Sequence, residues 1–448
     1  MSFYVLLKEI AEIEMGQSPT SNNVNSNRIG LPLLNGPTEF TSRYPIPIQF
    51  TESAKKISQK GDILFCVRGS TTGRMNYADR PYAIGRGLAA IRGKNGYPTS
   101  YIRVIVEQNL AKLLAAATGS TFPNVGRDLL LNFKVQVLSK NEAQYISNIV
   151  DLIDNKIHLN NQINQTLESI AQAIFKCWFI DFEPVRAKIA AKQEGKDPEL
   201  AAMCAISGKS EVELKQMASD DFAELQATAV LFPDELVESE LGEVPRGWEV
   251  GCIGDEVNTV SKTYPLKQVE EVIFLNTGDI LEGKFLHANK SRTESLPGQA
   301  KKSIQKDDIL YSEIRPQNKR FAYVYFDAED YVVSTKLMVL RKKSTIPSHF
   351  VYFILSRQST IDFLQVMAES RSGTFPQITF DVLSKVEYLK PNNNALIDIF
   401  TRKVLSPFFD KKVMNETENN KLIGVRDNLL PKLLSGEMDV SDLQSEGD

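Results

Sequence analysis

Arginine, asparagine and glutamine gather in two short stretches of this sequence, CVRGSTTGRMNY and SEIRPQNKRFAY. In the first, Arg68, Ser70, Thr71 and Arg74 sit among small flexible residues, with Arg80, Arg86 and Arg92 following. In the second, Arg315, Gln317, Asn318, Lys319 and Arg320 fall together, and Lys336 follows. Guanidinium and ammonium groups neutralise phosphates, while Arg, Asn and Gln can each bond two acceptors or donors on one base edge. Both stretches thus have the inventory of a duplex-reading loop; the bland alternative is a solvated face. Two further turns, GSTFPNVG and SGTFPQIT, add Thr121, Asn124, Thr374 and Gln377 as backbone contacts, with Phe122 and Phe375 expected in the core at the lobe edges.

Net charge is −4, which by itself argues against a polyanion partner. The distribution says otherwise: residues 55–103 carry a local charge of +8 and residues 301–343 carry +4, while 181–243 carry −9. An acidic bridge joins two basic lobes.

Catalytic parts are hard to find. No G-x-x-x-x-G-K-[ST] loop is present, and GSTTGR has the wrong spacing for one. A Gly-rich strand-turn-helix fingerprint and an Asn-Pro-Pro-aromatic motif of amino-methyltransferases are also missing. His158, His287 and His349 are isolated, and Cys66, Cys177, Cys204 and Cys252 form no C-x-x-C pair. A zinc site and a disulfide framework are therefore not expected. A metal-dependent nuclease could be built from Pro233-Asp234 and Glu282-Gly283-Lys284, but these parts lie in different segments.

The elements that must position the two basic stretches repeat. KKISQKGDILF resembles KKSIQKDDILY, and GSTFPNVGRDLL resembles SGTFPQITFDVL, in the same order at offsets drifting from 246 to 256. Such a period predicts two half-molecules. Residues 147–178, with Ile146 before them, set a seam at steps of three and four that is apolar except at Asn160 (Ile146, Ile149, Ile153, Ile157, Asn160, Ile163, Leu167, Ile170, Ile174, Trp178), and a related pattern recurs from Leu405 to Leu434. These are seams of long helices packed lengthwise. Asn160, Asn164, Glu416, Asn419 and Asn420 would fix register, unless that segment faces solvent or a partner. Pro407 predicts a kink or a helix start near Ser406, and Pro431 with Gly436 predicts the helix end.

The expected architecture is α+β: two tandem globular lobes separated by two long helices that form an antiparallel coiled coil. Its segments are a first lobe over 1–140, a central helix over 141–182, an acidic helical linker over 183–243, a second lobe over 244–392, a C-terminal helix over 393–436 and an acidic tail over 437–448. Apolar and charged fractions of 42% and 24% are those of a soluble protein. No run approaches the roughly 18 apolar residues of a membrane span, and the N-terminus lacks a basic start, so a cytoplasmic location is expected.

Several stretches carry a family resemblance: MGQSPT (15–20), GDIL with its partner DDIL, WFIDFEPVRAK (178–188), GEVPRGWE (242–249) and ENNKLIGVRDNLLPKLLSGEMDV (418–440). Together they resemble the DNA specificity subunits of type I restriction-modification enzymes over essentially the whole chain. The second half departs where VNTVSKTYP stands in place of MGQSPT.

This resemblance implies two target recognition domains, each reading half of a split, asymmetric site in double-stranded DNA. It implies no catalytic centre and no cofactor in this chain. Two modification subunits would dock on the helices, with Phe175, Phe179 and Leu433 as candidate contacts, and restriction subunits would join them. S-adenosylmethionine, ATP and Mg²⁺ would be used by those partners. The rivals are a stand-alone sequence-specific DNA-binding protein and the recognition part of a fused restriction enzyme.

Overall fold

The computed structural model describes residues 2–119, 122–239, 242–371 and 373–438. It divides into two compact units, Met1–Ile163 with Asn415–Asp448, and Asn164–Met414. The first unit is made of two separate segments and the second of one continuous segment. Each takes one lobe together with part of both long helices.

In the first unit, four antiparallel strands lie in the order Ala11–Met15, Leu88–Gly93, Ile63–Cys66, Met75–Tyr77. A second sheet runs Gln49–Thr51, Leu31–Leu34, Tyr82–Ile84, Ile57–Ser58, with Leu31–Leu34 and Tyr82–Ile84 parallel. Side chains alternate along a strand, so Ile63 and Phe65 face a core shared with helix Thr99–Gln108 and the long helices. Leu64 and Cys66 face a second core shared with Leu34, Tyr82 and Ile84 of the other sheet. Burial on both faces explains why the strand Ile63–Cys66, ILFC, is apolar without interruption.

The second unit repeats this plan. Its sheets run Val257–Val260, Leu337–Lys342, Ile309–Ser312, Phe321–Tyr323, and Lys290–Arg292, Glu271–Leu275, Tyr331–Ser334, Ala300–Ser303. Again one neighbour pair is parallel, Glu271–Leu275 with Tyr331–Ser334. Ile309 and Tyr311 face the helix side, and Leu310 faces the sheet side with Leu275 and Val333. The duplication seen as matched words is thus a duplication of topology.

The central helix runs Lys140–Phe179, and the C-terminal one Ser406–Ser435. Within the first unit they are antiparallel: Asp154 accepts from Arg426, and Asn160 meets Glu418 and Asn419. Ala143, Ile146, Val150 and Ile153 are buried at helical spacing, with Leu430 and Leu433 from the other helix in the same core. Within the second unit Ala171, Phe175, Trp178 and Phe179 continue the buried stripe. Ile170, expected on the seam, is half exposed instead.

The α-helix starts at Ser406, one residue before Pro407, as the sequence predicts, but the chain leading into it is already helical. Ala395–Phe400 leads into a π-helical turn at Thr401–Leu405, in which Ser406 N–H reaches back to the Thr401 carbonyl, and the helix continues. The widened turn accommodates a residue that has no N–H to donate. Pro431 likewise lies inside the helix, which ends only at Gly436, where φ is +77°.

Residues 178–188 turn the chain out of the central helix. Phe182 adopts left-handed φ of 55° and stacks edge-on to Trp248 at 5.5 Å, while Phe179 packs on the same indole at 6.0 Å. The acidic linker then forms helices Glu183–Gln193, Pro198–Ser207, Glu211–Lys215 and Ser219–Val230 around a small core of Ala202, Met203, Leu214 and Ala229. Asp197 and Ser210 cap two of these helices, the latter reciprocally with Glu213.

Candidate nucleic-acid interface

The arginine loop of the first unit joins strand Ile63–Cys66 to strand Met75–Tyr77. Cys66 N–H donates to the Arg74 carbonyl and Gly73 N–H to the Cys66 carbonyl, both at 2.9 Å. Gly69 and Gly73, at φ of 95° and 93°, supply the left-handed turns that close it. Two other segments pack around this loop. Val67 N–H donates to the Gly87 carbonyl, Val125 N–H to the Val67 carbonyl, and Arg68 and Asn124 form an antiparallel bridge. At Gly85 a Cβ would fall 2.2 Å from Asn35 Oδ1, so the Gly85-Arg86-Gly87 turn depends on that close approach.

Arg68, Ser70, Arg74, Arg86 and Asn124 are therefore brought to one loop cluster, and all are exposed. Thr71 is half-buried, 3.7 Å from Cys66 Sγ. Thr121 lies outside the described residues. Among the described residues Arg68, Arg74 and Arg86 make no ion pair. In contrast, Arg80 pairs with Asp79, Arg103 with Glu107, and Arg92 makes a two-pronged bond to buried Asp62 at 2.8 Å. The basic inventory splits into groups that hold the lobe together and groups that face solvent. Position along the sequence does not separate the two kinds.

Sequence reasoning passed over Gln17, Ser18 and Asn35. The Ser18 hydroxyl accepts from Arg86 N–H and donates to Asn35 Oδ1, so the 15–20 stretch buttresses the Arg86 turn. The signal is present in MGQSPT, whose Ser18 carries the bonding hydroxyl.

In the second unit the equivalent bridge is Ile314 with Gln377, and Glu313 N–H donates to the Lys336 carbonyl. Arg315 and Lys319 adopt left-handed φ of 43° and 53° around the turn Pro316–Asn318. Here the polar groups are more engaged. Gln317 Nε2 donates to Asp362, Lys319 pairs with Glu282 at 2.8 Å, and the Arg320 guanidinium bonds the Gly278 and Ile280 carbonyls. Lys336 Nζ lies 3.4 Å from Glu313 and 3.5 Å from Gln377 Oε1. Behind it, Lys302 holds the Thr335 and Leu337 carbonyls, and burial pulls its amine below the usual lysine range. Arg315, Asn318 and Thr374 remain exposed. The expected counterpart of MGQSPT is replaced by a different anchor: Tyr264 N–H donates to the Lys301 carbonyl and its hydroxyl to that of Glu329.

The candidate nuclease residues are engaged elsewhere. Asp234 pairs with Lys192, which holds its carboxyl below the usual range, and Glu282 pairs with Lys319. Among the described residues no cluster of three or more His, Cys, Asp or Glu is placed to hold a metal, and no helix is long and apolar enough to cross a membrane.

Phe122 and Phe375, expected in the core, are 54% and 71% exposed. Phe175, Phe179 and Leu433, expected as exposed docking residues, are 4%, 3% and 1% exposed. Phe175 packs on Phe350, Phe353 and Phe400 at 5.4 to 5.9 Å, and Leu433 closes the first unit's core. The lobes wrap the helices from the side, which covers apolar positions that a two-helix picture leaves bare. Among the described residues, the large apolar side chains the two long helices expose are Leu152, Leu159, Ile170, Met414, Ile423 and Val425.

A doubled α+β lobe, each copy carrying a polar loop cluster and part of a long helix pair, defines a class of internally duplicated α+β proteins. A family model described as the type I restriction modification DNA specificity domain matches the chain twice, over residues 4–169 and 245–421. The chain belongs to this family. The type I restriction enzyme HindI specificity subunit of Haemophilus influenzae is 32% identical over 411 residues, covering 86% of this chain and 88% of its own. The MjaIX specificity subunit of Methanocaldococcus jannaschii is 23% identical, covering 88% and 81%. A solved S subunit of a type I restriction-modification system from M. genitalium aligns with a TM-score of 0.47 at 14% identity, covering 97% and 96%.

Proposed function

We propose that this chain is the DNA specificity subunit of a type I restriction-modification enzyme, working in the cytoplasm without a catalytic centre of its own. Each lobe reads one half of a bipartite, asymmetric site in double-stranded DNA. The observation that carries this reading is the recurrence, in both units, of a loop cluster at the same end of the same sheet, bridged by Arg68 to Asn124 in one and Ile314 to Gln377 in the other. In the first unit the cluster presents Arg68, Arg74 and Arg86, and in the second Arg315 with Asn318. Guanidiniums of this kind serve phosphates and guanine edges alike.

Two modification subunits dock on the outward faces of the helices, where Leu152, Leu159, Ile170, Met414 and Val425 replace the buried Phe175, Phe179 and Leu433 as candidate contacts. Restriction subunits join that complex. S-adenosylmethionine, ATP and Mg²⁺ serve the partners' methylation, translocation and cleavage.

Mapping methylated adenines in the source genome tests the reading. The expected result is a split motif with two specified halves and a fixed unspecified gap, lost when this gene is deleted. A continuous motif, or an unchanged methylation map after deletion, would refute it. Specific DNA binding by the chain with no dependence of any methylation on it would favour the stand-alone alternative.

A further inference from the structure

Phe122 and Phe375 occupy equivalent places in the two units, and in both the described residues beside the ring are hydrogen-bonded to the chain around them. In the first unit Thr118 and Asn124 exchange backbone hydrogen bonds across the turn, at 3.2 and 2.6 Å. Gly119, at φ of 114°, lies so close to the Phe122 carbonyl that a Cβ would sit 2.2 Å from it. The Thr72 hydroxyl, from the arginine loop, donates to the Pro123 carbonyl at 2.9 Å. In the second unit the corresponding carbonyl, that of Pro376, accepts from Arg315 N–H at 3.1 Å, and the Arg315 side chain bonds the Thr374 carbonyl at 3.4 Å. The proline after each phenylalanine is thus clamped to the basic loop, by a hydroxyl in one unit and a backbone amide in the other. Different chemistry preserves one outcome, an exposed aromatic ring one residue before a carbonyl tied to the basic loop.

A single exposed phenylalanine needs no explanation. Two, at matched positions of a duplicated fold and both beside the polar loop clusters, do need one. Their surroundings indicate the partner: exposed Arg68 bridges Asn124 two residues from Phe122, and exposed Arg315 bonds the Thr374 and Pro376 carbonyls on either side of Phe375. Cations that take phosphates, set around an apolar ring, fit a nucleic acid, in which bases offer a flat apolar face and base steps can be wedged apart. An apolar protein partner would gain nothing from such flanks.

We propose that Phe122 and Phe375 are a matched pair of apolar wedges, each pressed into the base stack of the half-site its lobe reads and partly unstacking it. The proposal rests on the DNA-reading function above and adds a deformation step to it. The lobes then select sequence by how readily a step opens as well as by hydrogen bonds.

The test uses the full chain and a duplex carrying the site found by methylation mapping, probed with permanganate, which oxidises unstacked thymines. Each half-site contains a thymine opposite its methylated adenine. The wild-type chain should raise thymine reactivity in both halves. Phe122→Ala should abolish this in one half only and Phe375→Ala in the other, each weakening binding by roughly 10-fold, while Phe→Trp variants retain both effects. Because both rings are exposed, melting of the alanine variants should match wild type, which separates a lost contact from a lost fold. Binding by wild type with no reactive thymines overturns the wedge and leaves the DNA-reading function standing; no specific binding at all sinks both. Alanine variants that bind and distort DNA normally but fail to capture modification subunits would assign the rings to a protein contact instead.

Discussion

Arg341 grips Asp308 with two parallel bonds, Nε to Oδ1 and Nη2 to Oδ2, each 2.8 Å, and Arg92 repeats the grip on Asp62 at the same two distances. Both carboxylates are buried, at 0% and 2% exposure, and each also accepts a backbone N–H, from Gln305 and Gln59. The GDIL and DDIL words are therefore a structural clasp between the central strands of the helix-side sheets. Removing one partner leaves a buried charge uncompensated. Arg92→Ala or Arg341→Ala should each cost about 3 kcal/mol of the affected unit's stability, and lysine should not rescue because it cannot make the fork. Urea unfolding checks this, and wild-type midpoints in either variant would show the clasp to be dispensable.

Asn160 Nδ2 donates to Asn419 Oδ1 at 2.9 Å and to Glu418 at 2.9 Å, and Asn419 returns a bond to Asn161 at 3.1 Å. Asn160 is only 1% exposed. Asn160→Leu alone takes the donor from Asn419 Oδ1 and should destabilise the first unit by about 2 kcal/mol. Pairing it with Asn419→Leu should recover much of that loss, at the expense of a defined register. A double-mutant cycle in thermal unfolding measures the coupling; additive losses would mean that the two amides do not act as a pair.

The helices and the duplication were legible because their signals are long-range and redundant: steps of three and four over some thirty residues, and matched words in matched order. Side-chain roles within the basic stretches were not. Arg68 and Arg92 look alike in sequence, yet one faces solvent and the other clasps Asp62, since the strand pairing of Ile63–Cys66 with Leu88–Gly93 decides it. Phe122 and Phe175 were misplaced in opposite directions for a related reason. Hydrophobicity alone cannot tell a ring clamped outward at a turn from one covered by a neighbouring lobe.

That distinction gives a third prediction. Arg68→Ala should leave melting unchanged, weaken DNA binding roughly 10-fold and relax selection in one half-site only. Arg92→Ala should lower the melting temperature instead, and reduce binding only where the unit unfolds. Filter-binding at fixed salt beside calorimetry separates the two, and equal destabilisation by both variants would erase the division drawn here.

His349 contributes a pH dependence to the second unit. Its Nε2 lies 3.1 Å from the Tyr323 hydroxyl, which donates to Asp307, so the imidazole is the neutral donor to the phenol oxygen. Burial lowers its pKa from 6.5 to about 4. The unfolded chain takes up a proton near the upper value while the folded one resists it to the lower, so stability falls as pH drops through that window. The loss should reach about 2 to 3 kcal/mol by pH 4. His349→Gln should flatten the part of the profile between these values, and a variant with the wild-type slope would place the effect in the carboxylates.

The last prediction concerns the gap between half-sites. The division between the two units falls inside both long helices, at Ile163 with Asn164 and at Met414 with Asn415, while the Asn160 layer lies wholly within the first unit. Four residues added beside Asn164 in one helix and beside Met414 in the other insert about one turn, roughly 6 Å, without entering that layer. Under the proposed function each lobe keeps its own loop cluster, so the bases read should not change. The unspecified gap should lengthen, by on the order of one to two base pairs at 3.4 Å per pair, as a methylation map of the engineered strain would show. Insertion into one helix alone leaves the pair mismatched and should instead lower stability. A lengthened helix pair with an unchanged gap would mean that the helices do not set the spacing, and the role of ruler would pass to the modification subunits.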